Sequence, residues 1–124
     1  MELIIGGAYQ GKLSYAVEKY DIGEAELFDL SNGLPERSFR CFFHLESLTR
    51  TAAERGLSAR ELADTLLPLF GESVVISREV GCGIVPTDAS ERLFRELHGS
   101  VLRILAREAS SVTRIFCGLP ERLK

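Results

Sequence analysis

Gly6-Gly7-Ala8-Tyr9-Gln10-Gly11-Lys12 has the residue types and spacing of a loop that grips phosphate. Glycines let the chain curl until successive backbone N–H groups face one anion, and the lysine that follows reaches the outer phosphates of a nucleotide. The loop lies between a short apolar run, Leu3-Ile4-Ile5, and a segment from Lys12 to Lys19 that reads as a helix. The helix N-terminus would add its partial positive charge. The pattern ordinarily closes on Ser or Thr, whose hydroxyl binds the Mg²⁺ that accompanies the nucleotide. Here that position is Leu13, and Ser14 is no simple substitute because one residue along a helix turns the side chain by about 100°. Nucleotide contacts are expected from Gly6, Gly7, Ala8, Tyr9, Gln10, Gly11, Lys12 and Leu13, with Mg²⁺ weak or absent and no protein metal ligands. The same residues also suit a plain glycine turn with a solvated lysine.

A second constellation is Ser77-Arg78-Glu79-Val80-Gly81-Cys82-Gly83-Ile84-Val85-Pro86. Glu79 ends a β-branched run at the edge where open α/β sheets bind ligands, which makes it the best acidic candidate. It would order a metal's water or accept a substrate proton, or else cap backbone N–H groups of the Gly81–Gly83 turn. His44 closes the aromatic run Cys41-Phe42-Phe43 and is either a hydrogen-bonded structural residue or a nucleophile. His98 lies on the long helix with no titratable triad in sight and is expected at the surface. Cys41, Cys82 and Cys117 are odd in number and lack C-x-x-C spacing, so reduced thiols are expected rather than a disulfide or zinc site.

The elements that must position these residues alternate strand and helix. Ala25 to Leu30 reads as a second strand, Ser31 to Pro35 as a turn, and Phe39 to Leu45 as a third strand. Glu46 to Arg55 is helical. Ser58 with Glu61 forms a capping box that opens a helix whose Leu62, Leu66 and Leu69 share a face. Ser73 to Ile76 is apolar and β-branched, as a strand covered on both faces should be. Asp88 with Glu91 starts a helix that keeps its apolar spacing to about Ala109. Val112 to Cys117 is the last strand, broken by Gly118-Leu119-Pro120. This order predicts an α/β three-layer fold with a mostly parallel central sheet of about five strands. No linker or repeat interrupts it, so residues 1–124 are expected to form one domain.

The chain is 45% hydrophobic and 27% charged, the composition of a soluble globule. A net charge of -3 and a pI near 5.4 argue against a general nucleic-acid or anionic-membrane binder. No apolar run is long enough to span a bilayer, and the N-terminus has no charged-then-apolar signal. A cytoplasmic location is the expectation.

The segment from Glu72 to Lys124 resembles the C-terminal part of the adenosylcobinamide kinase / adenosylcobinamide-phosphate guanylyltransferase family. The resemblance is carried by Arg78-Glu79-Val80-Gly81-Cys82-Gly83-Ile84-Val85-Pro86 and by the ending Cys117-Gly118-Leu119-Pro120-Glu121-Arg122-Leu123. Gly6-Gly7-Ala8 with Gly11-Lys12 matches the family's opening. About the first twenty and last fifty residues are covered firmly, and the middle loosely. The resemblance implies a RecA-like P-loop fold, a homotrimer, and an enzyme of cobalamin assembly. Such enzymes phosphorylate adenosylcobinamide and then transfer GMP from GTP through a guanylylated histidine, so GTP or ATP and a corrinoid are the implied ligands.

Three departures converge on that chemistry. The family's histidine-bearing segment after the second strand is replaced by Ser31 to Arg37, which contains no His. His44 stands where the third strand normally ends in Asp, and imidazole is a poor Mg²⁺ ligand. Leu13 removes a second oxygen from the same metal site. Two readings stay open: a shortened but working transferase, or a non-catalytic relative that binds a nucleotide or corrinoid and regulates. A loop that holds only a small anion, in a protein acting through its oligomer surface, is a third.

Overall fold

The first apolar run lies at the centre of the molecule. Glu2–Gly6 (β1) pairs in parallel with Val74–Arg78 (β4) on one side and with Ser111–Phe116 (β5) on the other. The computed structural model describes residues 1–80 and 87–124. Outward from β4 come Cys41–Phe43 (β3) and Leu27–Asp29 (β2), both parallel to their neighbours, and outward from β5 comes Leu119–Arg122 (β6). The sheet order is β2-β3-β4-β1-β5-β6. A central parallel strand is covered on both faces, which is why β1 and β4 are apolar almost without interruption.

Lys12–Tyr20 (α1) covers one face. Its Ala16, with Ile22 just beyond it, packs on Ile4, Cys41, Val74, Ile76 and Ile115. Leu45–Glu54 (α2), Ala59–Phe70 (α3) and Ala89–Glu108 (α4) cover the other face. There Leu45, Leu62, Leu66, Phe70, Val101 and Leu105 meet Leu3, Phe42, Val75 and Val112. Each such side chain contributes about 1.5–3 kcal/mol on burial. This is the three-layer α/β arrangement with a mostly parallel sheet expected from the alternation, consistent with a RecA-like P-loop fold.

Local signals acted as their chemistry requires. The Ser58 hydroxyl accepts from the Glu61 N–H at 3.1 Å while Glu61 accepts from the Ser58 N–H at 3.2 Å. The Asp88 carboxylate accepts from the N–H groups of Ser90 and Glu91 at the head of α4. On α3 the buried stripe is Leu62, Ala63, Leu66 and Phe70, with Leu69 only half-buried.

Some expectations are corrected. The sheet has six strands rather than about five, because Gly118 turns the chain instead of ending it. Cys117 (φ 52°) and Gly118 (φ 75°) are both left-handed, as a two-residue hairpin turn needs, and β6 runs back antiparallel to β5. The second strand is Leu27–Asp29 because Glu24–Glu26 coils into a 3₁₀ turn. The third strand is Cys41–Phe43, since Phe39 is tied elsewhere: its carbonyl accepts from the Ser73 hydroxyl and its ring packs on Phe28, 5.0 Å between centroids.

His98, expected at the surface, is fully buried. Its Nε2 lies 2.9 Å from the Arg78 carbonyl and 3.0 Å from Ser77 Oγ, and its Nδ1 lies 2.9 Å from Thr49 Oγ1. A carbonyl only accepts, so Nε2 carries the proton and Nδ1 takes the threonine's. The imidazole thus joins α4 to α2 and to the end of β4. Burial pushes its pKa down, and the bond to the Arg78 carbonyl and the Glu46 charge only partly offset this. A base with a depressed pKa in the folded state contributes stability that is full above the unfolded value, about 6.5, and lost as pH falls through the folded one. We expect His98 to titrate below the usual histidine range by NMR. His98→Leu should cost about 1–3 kcal/mol in urea unfolding, by leaving the Arg78 carbonyl and Thr49 hydroxyl short of partners. It should also flatten the loss of stability below pH 6.5.

Candidate functional site

At the carboxyl ends of β1, β3 and β4 lies an open cavity of about 380 Å³, bordered by the loop from Ala8 to Ser14 and by Phe43, His44, Glu46, Ile76 and Arg78. Parallel strands all deliver their last residues to this edge, so one loop and several strand ends meet there.

The loop's shape follows from its glycines. A Cβ on Gly6 would come within 2.6 Å of the Ile115 carbonyl oxygen, so no side chain fits where β1 leaves the sheet. Gly11 (φ 86°) caps α1 in a left-handed conformation. Tyr9 also has positive φ, 60°, and its side chain is fully exposed. Gln10 ties the loop to the β5–β6 turn: its side-chain Oε1 accepts from the Cys117 N–H at 2.5 Å and its carbonyl from the Gly118 N–H at 3.0 Å.

Lys12 Nζ donates to the Gly7 carbonyl at 2.6 Å, which holds the ammonium across the loop. Burial lowers its pKa, the Glu46 charge raises it, and the Arg78 charge lowers it. Leu13 is half-buried and packs on the α1-side core. Ser14 borders the cavity one position further round and is exposed.

His44 is the left-handed N-cap of α2 (φ 63°) and lines the cavity. Its Nδ1 lies 2.8 Å from Asp29 Oδ1. Partial burial pushes the Asp29 carboxyl up, but hydrogen bonds from Ser31 and His44 outweigh it and hold the pKa below the ordinary value. The ionised carboxylate accepts from Nδ1–H, so in the neutral tautomer Nε2 carries the ring's lone pair. Glu79 does not border the cavity. Its carboxylate accepts from Arg114 Nε at 3.1 Å, and the Gly81–Gly83 turn it would have capped lies outside the described residues.

Asp29, Glu46 and Arg78 were not singled out from sequence, yet all reach this edge. Glu46 accepts from the Arg78 N–H at 3.2 Å. Asp29 ends β2 in register with Phe43, one residue before His44, so the parallel pairing itself was the signal.

The model of the cobinamide kinase / cobinamide phosphate guanyltransferase family matches residues 42–123, about two thirds of the chain. The chain belongs to this family. A comparison with curated proteins finds no match. The family match takes in residues 42–71, where the motif resemblance was loose, and leaves out residues 1–41 with the glycine loop. Among the described residues, no helix is long and apolar enough to cross a membrane.

The two leading glycines should differ sharply on substitution. Gly6→Ala should lower stability by about 1–3 kcal/mol in denaturant unfolding, because its Cβ meets strand backbone that cannot yield. Gly7→Ala, whose Cβ would sit at 3.7 Å from Gln10 Cγ, should stay within about 0.5 kcal/mol of the parent.

Proposed function

We propose that this family member binds a nucleoside triphosphate through residues 6–13, with metal-dependent phosphoryl transfer and guanylyl transfer reduced or lost. The carrying observation is the donor set around Lys12. A Mg²⁺ ion paired with phosphates wants hard oxygens in near-octahedral geometry. Leu13 offers none and packs on the core, and His44 is an imidazole already bonded to Asp29. Glu46, the one carboxylate among the described residues that line the cavity, receives the Arg78 N–H. These residues do not fit a Mg²⁺ site. Phosphoryl transfer relies on positioning and charge neutralisation shared by metal and lysine, so a lone lysine leaves it slow. A binding or regulatory role, with a corrinoid as second ligand and an oligomer as its form, is compatible with the same site.

A specific observation favours one alternative. Asp29 holds His44 through Nδ1 at the border of the cavity, and in the neutral tautomer this puts the lone pair on Nε2, the arrangement that activates an imidazole nucleophile. In that reading Nε2 would attack the α-phosphate of GTP, forming a P–N bond as pyrophosphate leaves. Intact-mass spectrometry after incubation with GTP separates the two: we expect no added GMP, and an adduct abolished by His44→Ala would establish His44 as the acceptor. In calorimetry with GTP and ATP, Lys12→Ala should weaken binding about tenfold or more, through loss of a charge-assisted contact. An unchanged dissociation constant would remove the loop from the site.

A further inference from the structure

We propose that Arg78 stands in for the metal: with Lys12 it forms a two-cation clamp for a di- or triphosphate, which makes metal-free nucleotide the preferred ligand. This rests on the nucleotide-binding reading above and adds to it a residue and a ligand form.

Arg78 is the last residue of β4 and pairs in register with Gly6, where the phosphate loop begins. It borders the same cavity as Lys12. Its peptide groups are held on both sides. The N–H goes to Glu46 at 3.2 Å, and the carbonyl receives His98 Nε2 at 2.9 Å and the Ser77 hydroxyl at 3.2 Å. The base of the side chain is therefore rigid, while the guanidinium is exposed and has no carboxylate within salt-bridge distance among the described residues. Four other arginines differ: Arg40 pairs with Glu26, Arg50 with Glu91, Arg60 with Asp64 and Arg114 with Glu79.

Burial lowers the Lys12 pKa, the Glu46 charge raises it and the Arg78 charge lowers it again, so Arg78 acts on the ammonium across the cavity they share. Glu46 compensates only one of them. The pair thus carries one positive charge more than Glu46 offsets, and at the mouth of a glycine loop a polyanion satisfies it. A guanidinium suits phosphate oxygens because it presents a planar fork of donors. Mg²⁺ would work against such a clamp in two ways. Bound to the ligand, it cancels two of the negative charges that the clamp attracts. Seated between the phosphates and the protein, it would face two fixed positive charges at close range.

The test is calorimetric titration of the whole chain with GTP and with inorganic tripolyphosphate, each in EDTA and in excess Mg²⁺. The parent should bind GTP several-fold more tightly in EDTA. Arg78→Asn should lower the EDTA affinity about tenfold or more and abolish the difference between the two conditions. Arg78→Lys should keep the preference for EDTA. Tripolyphosphate should show the same dependence on Arg78. If it binds as well as GTP, the clamp reads the phosphate chain alone, and if GTP is tighter, the nucleoside adds contacts to the same clamp. Circular dichroism and an unfolding curve for Arg78→Asn should match the parent, since the guanidinium makes no ion pair among the described residues. Arg78→Asn with unchanged GTP affinity beside a weakened Lys12→Ala would overturn the clamp and leave the nucleotide-binding reading intact. Failure of the parent to bind GTP in either condition would overturn that reading itself, and tighter binding in Mg²⁺ would overturn the clamp.

Discussion

Backbone contact at Gly6 is the constraint on which the rest depends. There β1 leaves the sheet between β4 and β5, with the Ile115 carbonyl where a Cβ would lie. Because no side chain fits, the loop departs close against both neighbours. The Glu79 N–H donates to the Gly6 carbonyl at 2.8 Å, and Gln10 reaches the β5–β6 turn. The loop that carries Lys12 is thereby held beside β4, whose last residue is Arg78, and tied through Gln10 to the C-terminal hairpin. A loop with freedom at this point would not hold its N–H groups and its lysine in one place.

The site's electrostatics follow from what surrounds that fixed loop. The carboxylates at this edge each hold a protein partner already. Asp29 is bonded to His44 and Ser31, and Glu46 to the Arg78 backbone. Two cations, Lys12 and Arg78, and one carboxylate, Glu46, border the cavity. Below them His98, buried between α2, α4 and β4, ties the Arg78 carbonyl to the core. Membership of the cobinamide kinase / cobinamide phosphate guanyltransferase family thus coexists with a cavity bordered by both Lys12 and Arg78.

Much of this was legible in the sequence where the signal is local. The capping box at Ser58 and Glu61, the cap at Asp88 and the apolar strands around Leu3 and Val75 depend on neighbours within a few residues, and they form as read. The glycine loop and the missing hydroxyl at Leu13 were equally plain. Three features were hidden because their causes are distant. His98 is buried by partners on Thr49, Ser77 and Arg78, none of them near it in sequence. β6 is exposed along its length and contains Pro120, so it shows no alternation. Arg78 and Asp29 acquire their roles only when parallel pairing brings β4 to β1 and β2 to β3.

The central claim is that protein cations have replaced a metal in this cavity, and reversing the replacement tests it most directly. The triple variant Leu13→Thr, His44→Asp, Arg78→Asn restores two oxygens and removes the competing charge. GTP affinity of this variant, measured with and without Mg²⁺, should rise about tenfold or more in the metal's presence, as charge-assisted coordination requires. Equal affinities in the two conditions, with the variant folded, would contradict the account.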